Sequence, residues 1–271
     1  MKKHCVDLKK TGQFSTFFLD YLEGKESLRS FYSHLPNLES FGDAIQAKQF
    51  SAEKRQILVE VLESQYAGLP IVPAVEQHIH ALRREKTFTV TTGHQLNLFT
   101  GPLYFIYKLI SVINLAQRLQ ERYPDCHFVP VYWMASEDHD AAEINYFKLD
   151  GTTYRWETSQ SGAVGDFELD ASFQTFLKGL GFASPVFQEA YSKSATLAEA
   201  VRHYVHTLFG EKGLVVLDAN DARLKREFVE VLAADLLEHK PYAAAQASSQ
   251  ALAQLGYASR IYPSPINLFY L

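Results

Sequence analysis

The sequence is poor in cysteine, and this excludes two common kinds of small scaffold. Cys5 and Cys126 are the two cysteines among 271 residues, and they do not form a CxxC pair. A disulfide framework and a four-thiolate zinc site both need more thiols than this. We interpret Cys126, which precedes an apolar segment, as a partly buried free thiol rather than a nucleophile.

The sequence also lacks a strong excess of charge and any long hydrophobic run. Its 26 Lys and Arg residues against 31 Asp and Glu give a formal net charge of −5, which argues against general electrostatic binding to nucleic acid or an anionic membrane. No apolar run is long enough to span a bilayer, and the first ten residues lack the apolar core of a signal peptide. These absences predict a cytoplasmic protein whose partners include neither nucleic acid nor a membrane.

The remaining composition is that of a globular protein, with 47% hydrophobic and 21% charged residues. A chain of this length can bury a substantial core, as one large α/β domain or as two smaller ones. Apolar spacing predicts helices from Ser15 to Leu22, from Ser51 to Ala67 and from Pro73 to Leu82. We interpret residues 1–86 as an N-terminal helical region that packs on the core.

A strand, a polar tip and a helix follow one another three times after this region. The predicted strands are 87–92, 128–134 and 213–217, and the later helices are 196–209, ending at Gly210, and 221–239. The helical crossover between the first two strands has the length of a βαβ unit. The pattern predicts an α/β fold with an open parallel sheet and flanking helices.

The segment 147–190 interrupts this pattern. Residues 148–156 predict a β-hairpin around an Asp150-Gly151 turn, and we interpret 147–190 as an inserted connecting segment between two parts of the core, 87–146 and 191–271. The final segment, 260–262 and 266–271, reads as strand material. Because an exposed apolar edge strand invites pairing, we expect the chain to be truncated at its C-terminus.

The polar tips are the candidate site, because ligands bind at the carboxyl ends of the strands in open parallel sheets. In the first tip we expect Gly93 to turn the backbone and Pro102 to occupy the first helical position. A phosphate or carboxylate at that helix N-terminus would meet free N–H donors, with His94 and Gln95 as side-chain partners. The alternative is that His94 and Asn97 only bond the turn backbone.

The second tip carries four consecutive titratable residues, Glu137, Asp138, His139 and Asp140. They suit metal binding, general acid–base catalysis or recognition of an ammonium group. Alternatively, they begin a helix, with Glu143 closing a capping box. The adjoining Trp133 and Met134 read as core.

In the third tip, Asp218 at the strand end is the better candidate for a ligand. Asn220 and Asp221 could be helix caps alone.

Four long motifs resemble the BshC (YllA) family, the cysteine ligases of bacillithiol biosynthesis. The motifs are Thr91–Tyr104, Pro130–Asp140 with Glu143, Gly213–Asp221 and Pro265–Leu271. The resemblance implies a Rossmann-like core, similar to nucleotidyltransferases and class I aminoacyl-tRNA synthetases. It also implies the last pathway step, in which an amide bond joins cysteine to the amino group of glucosaminyl-malate.

Members of this family are about twice as long as this chain. The resemblance implies that their later portion completes the core and supplies a coiled coil for dimerisation. We therefore expect a homodimer of the full-length form, through a segment absent here.

The predicted catalytic residues are His94, Asp138 and His139. Amide formation needs an activated carboxyl group, most simply an adenylate made from ATP with magnesium, and a deprotonated amine. His94 would stabilise phosphate charge, Asp138 or Glu137 would hold an ammonium group, and His139 would act as base. The predicted substrate- and nucleotide-binding residues are Thr92, Gly93, Gln95, Asn97, Glu137, Asp140, Asp218 and Asn220, and no resident metal site is predicted.

Two other classes of function stay open from the residues alone. One is a non-catalytic nucleotide- or metabolite-binding module. The other is a metal-dependent hydrolase built on residues 137–140.

Overall fold

The structure is a computed structural model that describes residues 4–70, 72–182, 184–259 and 261–268. The chain divides into two compact units, one formed by residues 50–227 and the other by residues 1–49 with 228–270. This division does not follow the four predicted segments, so those boundaries stay a prediction. In the described parts of the chain, no helix is both long and apolar enough to cross a membrane.

Helices and strands alternate from β1 to β3, and helices alone precede β1 and follow β5 in the described chain. The helices are α1 (Leu8–Thr11), α2 (Thr16–Leu22), α3 (Phe41–Ala47), α4 (Ala52–Gln65), α5 (Pro73–Ala81), α6 (Leu103–Arg122), α7 (Ala141–Ile144), α8 (Ala171–Gly179), α9 (Pro185–Lys193), α10 (Leu197–Phe209), α11 (Ala222–Arg226), α12 (Val229–Glu238) and α13 (Lys240–Gln254). The strands are β1 (Thr87–Gln95), β2 (His127–Ala135), β3 (Tyr146–Leu149), β4 (Thr152–Arg155) and β5 (Val215–Asp218). Short 3₁₀ turns cover Glu26–Phe31, Leu98–Thr100, Val164–Asp166 and Gly210–Lys212.

The centre of the 50–227 unit is a parallel sheet in the order β1-β2-β5. Its register pairs His94 of β1 with Met134 of β2, and Met134 with Asp218 of β5. The three strands therefore run side by side in one direction, and their carboxyl ends share one edge. This confirms the predicted α/β fold with a parallel sheet.

Helices cover both faces of the central strand. On one face α4 and α5 pack in a core cluster with apolar residues of β2 and β5, namely Val129, Val131, Val215 and Leu217. On the opposite face α6 contributes Phe105, whose ring lies 5.2 Å from that of Tyr132. The part of a strand that is covered on both faces must be apolar, which explains the apolar run from Phe128 to Tyr132.

The end of β1 differs from the prediction. Gly93 does not turn the backbone, because β1 stays paired with β2 through Gln95. The turn comes later, where Phe99, Thr100 and Gly101 have φ values of 51°, 70° and 56°. Gly101 is required there, since a Cβ would lie 2.5 Å from the Cβ of Asn97. Pro102 is the N-cap of α6 and not its first helical residue.

The inserted segment contains the predicted hairpin and two helices that were not predicted. Strands β3 and β4 pair antiparallel, and the turn residues Asp150 and Gly151 have φ values of 49° and 79°, as a two-residue hairpin turn requires. Helices α8 and α9 follow. Trp156 is buried and donates its indole N–H to Ser172 Oγ at 3.0 Å.

The predicted helix over 221–239 was wrong as a single element. The structure ends α11 at Arg226 and begins α12 at Val229, and the two helices belong to different compact units. The expected final strand was also wrong for residues 261–268, which form no strand. Asn267 there bonds the carboxylate of Asp235 through its N–H at 2.8 Å and its side-chain amide at 2.9 Å. The remainder of that prediction, Arg260 and residues 269–271, lies outside the described residues.

A buried arginine fixes the start of β1. The guanidinium of Arg55 on α4 donates to the carbonyls of Leu82 at 3.0 Å, Thr87 at 3.0 Å and Glu85 at 2.9 Å. The carbonyls of Leu82 and Glu85 belong to the connection between α5 and β1, and that of Thr87 belongs to the first residue of β1. One side chain therefore satisfies three backbone acceptors that secondary structure does not.

Arg55→Met should lower the free energy of unfolding by about 3 kcal/mol, because three carbonyls next to the core lose a charged donor. Urea unfolding followed by circular dichroism measures this change. Arg84→Met, at an exposed residue of the same connection, is the matched control and should change stability by less than about 0.5 kcal/mol. Equal effects of the two substitutions would contradict the role of Arg55.

Candidate active site at the carboxyl edge of the sheet

His94 is held in place near the end of β1. It is 8% exposed, and its ring lies 5.2 Å from that of Tyr104 and 5.1 Å from that of Phe105, both in the first turn of α6. Burial lowers its pKa, Lys108 lowers it further, and the hydrogen bond to the Gln95 carbonyl opposes the shift. The imidazole is therefore neutral at pH 7.

The two ring nitrogens of His94 have different environments. Nδ1 lies 3.0 Å from the carbonyl of Gln95 and 3.1 Å from the side-chain nitrogen of Asn97. If Nδ1 donates to the carbonyl, Nε2 carries the lone pair that a base needs. If Nδ1 accepts from Asn97, Nε2 carries a proton that can be donated to an oxyanion. Among the described residues Nε2 has no hydrogen-bond partner, so either form can serve a ligand.

Asn97 itself has a structural role. Its side chain donates to the Gln95 carbonyl at 3.1 Å, and its own carbonyl accepts from Tyr204 Oη at 2.7 Å. Phe99, two residues later, donates its N–H to Tyr191 Oη at 3.0 Å. Buried tyrosines of α9 and α10 therefore hold the strained turn. The alternative interpretation of Asn97, as a residue that bonds the turn, fits these contacts.

A cationic group lies on the same side of the sheet edge as His94. Lys108 of α6 donates from Nζ to the carbonyl of Gly93 at 3.1 Å and lies 5.9 Å from the ring centre of Tyr104. Lys108 is the sixth residue of the 20-residue helix α6, and the N-terminus of that helix is at Leu103. An exposed ammonium beside a helix N-terminus favours an anionic ligand.

Gln95 joins β1 to the second predicted cluster. Its side-chain nitrogen donates to Asp138 Oδ2 at 2.8 Å and to Glu143 Oε2 at 2.7 Å. One amide group thus bridges two carboxylates that follow β2. Asp138 Oδ1 in turn accepts the N–H of Asp140 at 3.0 Å.

These bonds decide the charge of Asp138. Burial acts to raise its pKa, but the hydrogen bonds from Gln95 and from the N–H groups of Asp140 and His139 outweigh burial and lower the pKa. Asp138 is therefore a fixed anion near neutral pH. Such a group suits an ammonium ion or a magnesium ion better than it suits proton transfer.

The other members of the second cluster point to different partners. Glu137 Oε2 lies 3.3 Å from Lys225 Nζ, and Asp140 caps α7 by accepting the Glu143 N–H at 3.3 Å. His139 follows Asp138 in the same turn. Within the described ranges no three His, Cys, Asp or Glu side chains come together as a metal site.

Asp218 at the end of β5 forms a separate buried network. Its carboxylate accepts the hydroxyl proton of Ser136, lies 3.5 Å from Arg202 Nη2 and accepts the N–H of Asn220 at 3.0 Å. Gln65 of α4 bonds both peptide groups of the strand end, donating to the Asp218 carbonyl at 2.8 Å and accepting its N–H at 3.0 Å. Asp218 is therefore occupied by protein groups on several sides.

Lys225 links the third tip to the second. It bonds the side-chain oxygen of Asn220 and forms the ion pair with Glu137. Asp221 caps α11 and pairs with Arg223 at 2.7 Å. The capping interpretation of Asp221 is confirmed, whereas Asn220 bonds a side chain and is not the cap.

The inserted segment contacts the tip of β2 directly. In the turn Val164–Asp166, Gly165 donates its N–H to the Ser136 carbonyl and Val164 donates to the Asp138 carbonyl, both at 2.7 Å. A Cβ on Gly165 would lie 2.5 Å from the Cβ of Ser136 and 2.8 Å from its carbonyl oxygen. The insertion therefore sets the position of both Ser136 and Asp138.

The structure thus brings the predicted residues to one edge but separates them into groups. His94 lies with α6, Asp138 is tied to Gln95 and Glu143, and Asp218 is tied to Ser136 and Arg202. Thr92 and Gly93 precede them on β1. Which of these side chains contacts a substrate stays a prediction.

Sequence reasoning missed several residues that complete these groups, namely Gln65, Ser136, Arg202 and Lys225. Ser136 was detectable, because it stands between Ala135 and Glu137 in the quoted motif. Gln65 and Arg202 belong to helices remote from the tips in sequence, and their patterns carry no signal of this contact.

The fold and the edge define a Rossmann-like α/β domain, with parallel strands, helices on both faces and polar groups at the carboxyl ends of the strands. Comparison with known proteins gives the same result. A sequence model described as "Bacillithiol biosynthesis BshC, N-terminal Rossmann-like domain" matches residues 1–271. The chain belongs to the BshC family.

Curated relatives carry the name "Putative cysteine ligase BshC". The one from Christiangramia forsetii is 40% identical over 100% of this chain and 53% of its own length. The one from Cytophaga hutchinsonii is 42% identical over 98% of this chain and 51% of its own length, and the one from Anoxybacillus flavithermus is 32% identical over 98% and 52%. The chain spans about half the length of these relatives.

Gly165→Ala should destabilise the protein by about 1–3 kcal/mol, because the added methyl group overlaps Ser136. Urea unfolding measures the change. The control is Gly179→Ala in α8, where a Cβ meets nothing within 4 Å and the substitution should stabilise by up to about 1 kcal/mol. Unchanged stability of Gly165→Ala would mean that the turn does not hold the β2 tip closely.

Gln95→Leu should raise the pKa of Asp138, because burial remains while the side-chain donor is lost. Carboxyl-carbon NMR titration of Asp138 measures this shift. A lowered folded pKa contributes stability above the unfolded pKa, and this contribution is lost as pH falls through the folded pKa. The variant should therefore lose stability at a higher pH than the parent as acid is added. A titration identical to the parent's would show that Gln95 does not control Asp138.

Proposed function

We propose that this chain is the catalytic-core portion of a ligase that joins cysteine to the amino group of glucosaminyl-malate by an amide bond, in the last step of bacillithiol biosynthesis. Membership of the BshC family and the name of its relatives support the reaction class. The observation that carries the proposal is the edge itself, where a neutral histidine near the end of β1 and a fixed carboxylate in the turn after β2 follow neighbouring parallel strands.

Amide formation places two electrostatic demands on the site. One is a place for the anionic leaving group of the activated carboxyl, and the other is a place for the incoming amine. The α6 N-terminus and Lys108 meet the first demand, since each carries positive character. His94 joins them in the tautomer in which Nε2 is protonated, and in that tautomer it is not the base. Asp138, held ionised by Gln95, meets the second demand by binding the ammonium form.

The amine must lose a proton before it attacks. In the His94 tautomer whose Nδ1 donates to Gln95, Nε2 can take that proton, and the lowered pKa of His94 keeps the ring unprotonated at neutral pH. His139 next to Asp138 is the second candidate for this role. The choice between them depends on which side of the edge the amine occupies.

ATP with magnesium is the proposed activating cofactor, and it would supply AMP as the group that leaves the cysteine carboxyl when the amine attacks. The residues present fit such a group. The α6 N-terminus and Lys108 would hold phosphate oxygens, and magnesium would enter with the phosphates, since Asp138 is assigned to the ammonium group.

The remaining elements of the proposal concern the longer protein. We propose a cytoplasmic homodimer of the full-length form, supported by the relatives' additional length, which is about that of this chain.

Mass-spectrometric detection of the amide product tests the reaction. The chain, and in parallel the longer relative from Cytophaga hutchinsonii, is given cysteine and glucosaminyl-malate with and without ATP and magnesium. We expect the relative to form product when ATP is present and to form none when ATP is absent. His94→Ala in the same assay should lower the rate by about 100-fold or more, whereas His4→Ala, at an exposed residue of the other unit, should leave it unchanged.

Two results would contradict the proposal. Product formation by the relative without any nucleotide would remove the role of ATP. An unchanged rate in both the His94→Ala and Asp138→Ala variants would place the chemistry elsewhere.

A further inference from the structure

The interpretation of Trp133 as a core residue was wrong, because Trp133 is exposed in a strand that is otherwise covered. Its neighbours Tyr132 and Met134 are both 0% exposed, whereas Trp133 is 38% exposed. It lies on the central strand β2, in the sheet whose two faces carry helices. Trp133 shares the face of Val129 and Val131, on which α4 and α5 pack, so these helices leave a gap over the end of β2.

The gap continues across the adjacent strand. Register pairs Trp133 with Gly93 of β1 and with Leu217 of β5, so these residues share one face of the sheet. Thr91 and Gly93 on β1 are exposed. A Cβ on Gly93 would meet only the Trp133 carbonyl, at 3.9 Å, so the space above Gly93 is open. The exposed surface in the gap therefore consists of the Gly93 backbone next to the indole ring of Trp133.

The gap lies next to both parts of the candidate site. Gln95, which bridges Asp138 and Glu143, is two residues beyond Gly93 and therefore on the same face. His94, between Gly93 and Gln95, faces α6 on the other side. A ligand lying on Trp133 reaches the carboxylates directly and the α6 N-terminus by crossing the end of β1.

We propose that Trp133 and Gly93 form a stacking site for the purine base of the nucleotide, with the phosphates directed over the end of β1 to His94 and α6. This inference rests on the proposed function. The indole offers a flat aromatic surface, and bases stack on aromatic side chains irrespective of hydrogen-bond pattern. Gly93 has no side chain to obstruct the ring, which is the usual reason for a glycine where a ligand approaches the backbone closely.

Tryptophan fluorescence provides the test, because the chain contains two tryptophans and the second, Trp156, is 1% exposed. The chain is titrated with ATP and with adenosine, and calorimetry measures binding independently. We expect both ligands to quench the fluorescence of the parent and to leave that of Trp133→Phe unchanged. Trp133→Ala should weaken binding of both ligands by about tenfold or more, with a smaller loss in Trp133→Phe.

Of two further variants, one tests the site without removing Trp133, and the other is a control that removes an exposed ring elsewhere. Gly93→Val retains Trp133 and fills the space beside it, so it should also weaken adenosine binding. Tyr262→Ala removes a side chain that is 90% exposed in the other unit and should bind both ligands as the parent does.

The outcomes separate this inference from the proposed function. The stacking site would be overturned if calorimetry showed nucleotide binding without quenching, and if Trp133→Ala and Gly93→Val bound with the affinity of the parent. ATP-dependent product formation would still support the ligase in that case. Quenching by adenosine together with ATP-independent product formation would support the stacking site and overturn the role of ATP. Absence of binding by either ligand would overturn the stacking site.

Discussion

The carboxylate of Asp218 joins β5 to the end of β2 and to α10, while the peptide groups of the same residue join β5 to α4. The charge is buried with Arg202, and a buried charge is tolerated only when its partners are complete. Ser136 and the Asn220 N–H supply the remaining bonds. The positions at which β2 and β5 end therefore depend on this one group, and so do the positions of Ser136 and Asn220.

The residues after β2 divide their contacts between the interior and the edge. Ser136 is buried against Asp218, whereas Asp138, two residues later, is partly exposed and held by Gln95. The inserted turn at Gly165 fixes the backbone between them. Within three residues the chain thus contains a buried anchor, Ser136, and an ionised group near the surface, Asp138. A charge in a binding site needs such support if its position is to be fixed.

Local patterns predicted the elements that depend on local rules. Apolar runs marked the three parallel strands, serine caps marked helices such as the one after Ser51, and the Asp150-Gly151 turn marked the hairpin. The end of β1 was missed because pairing with β2 overrides the turn preference of Gly93. The bonds of Gln65 and Arg202 to Asp218 are tertiary contacts across many residues, and no local pattern encodes them. The candidate residues were therefore foreseeable as a set, but not their division into groups.

In the turn Leu96–Gly101, three successive residues, Phe99, Thr100 and Gly101, have positive φ values. Phe99 and Thr100 adopt a backbone conformation that is unfavourable for side chains of their size, and the hydroxyls of Tyr191 and Tyr204 hold them in it. The conformational entropy of this turn is thus lost during folding and not on ligand binding. For the anion that we propose at α6, the donors would already be oriented, so less of its binding free energy would be lost to conformational entropy.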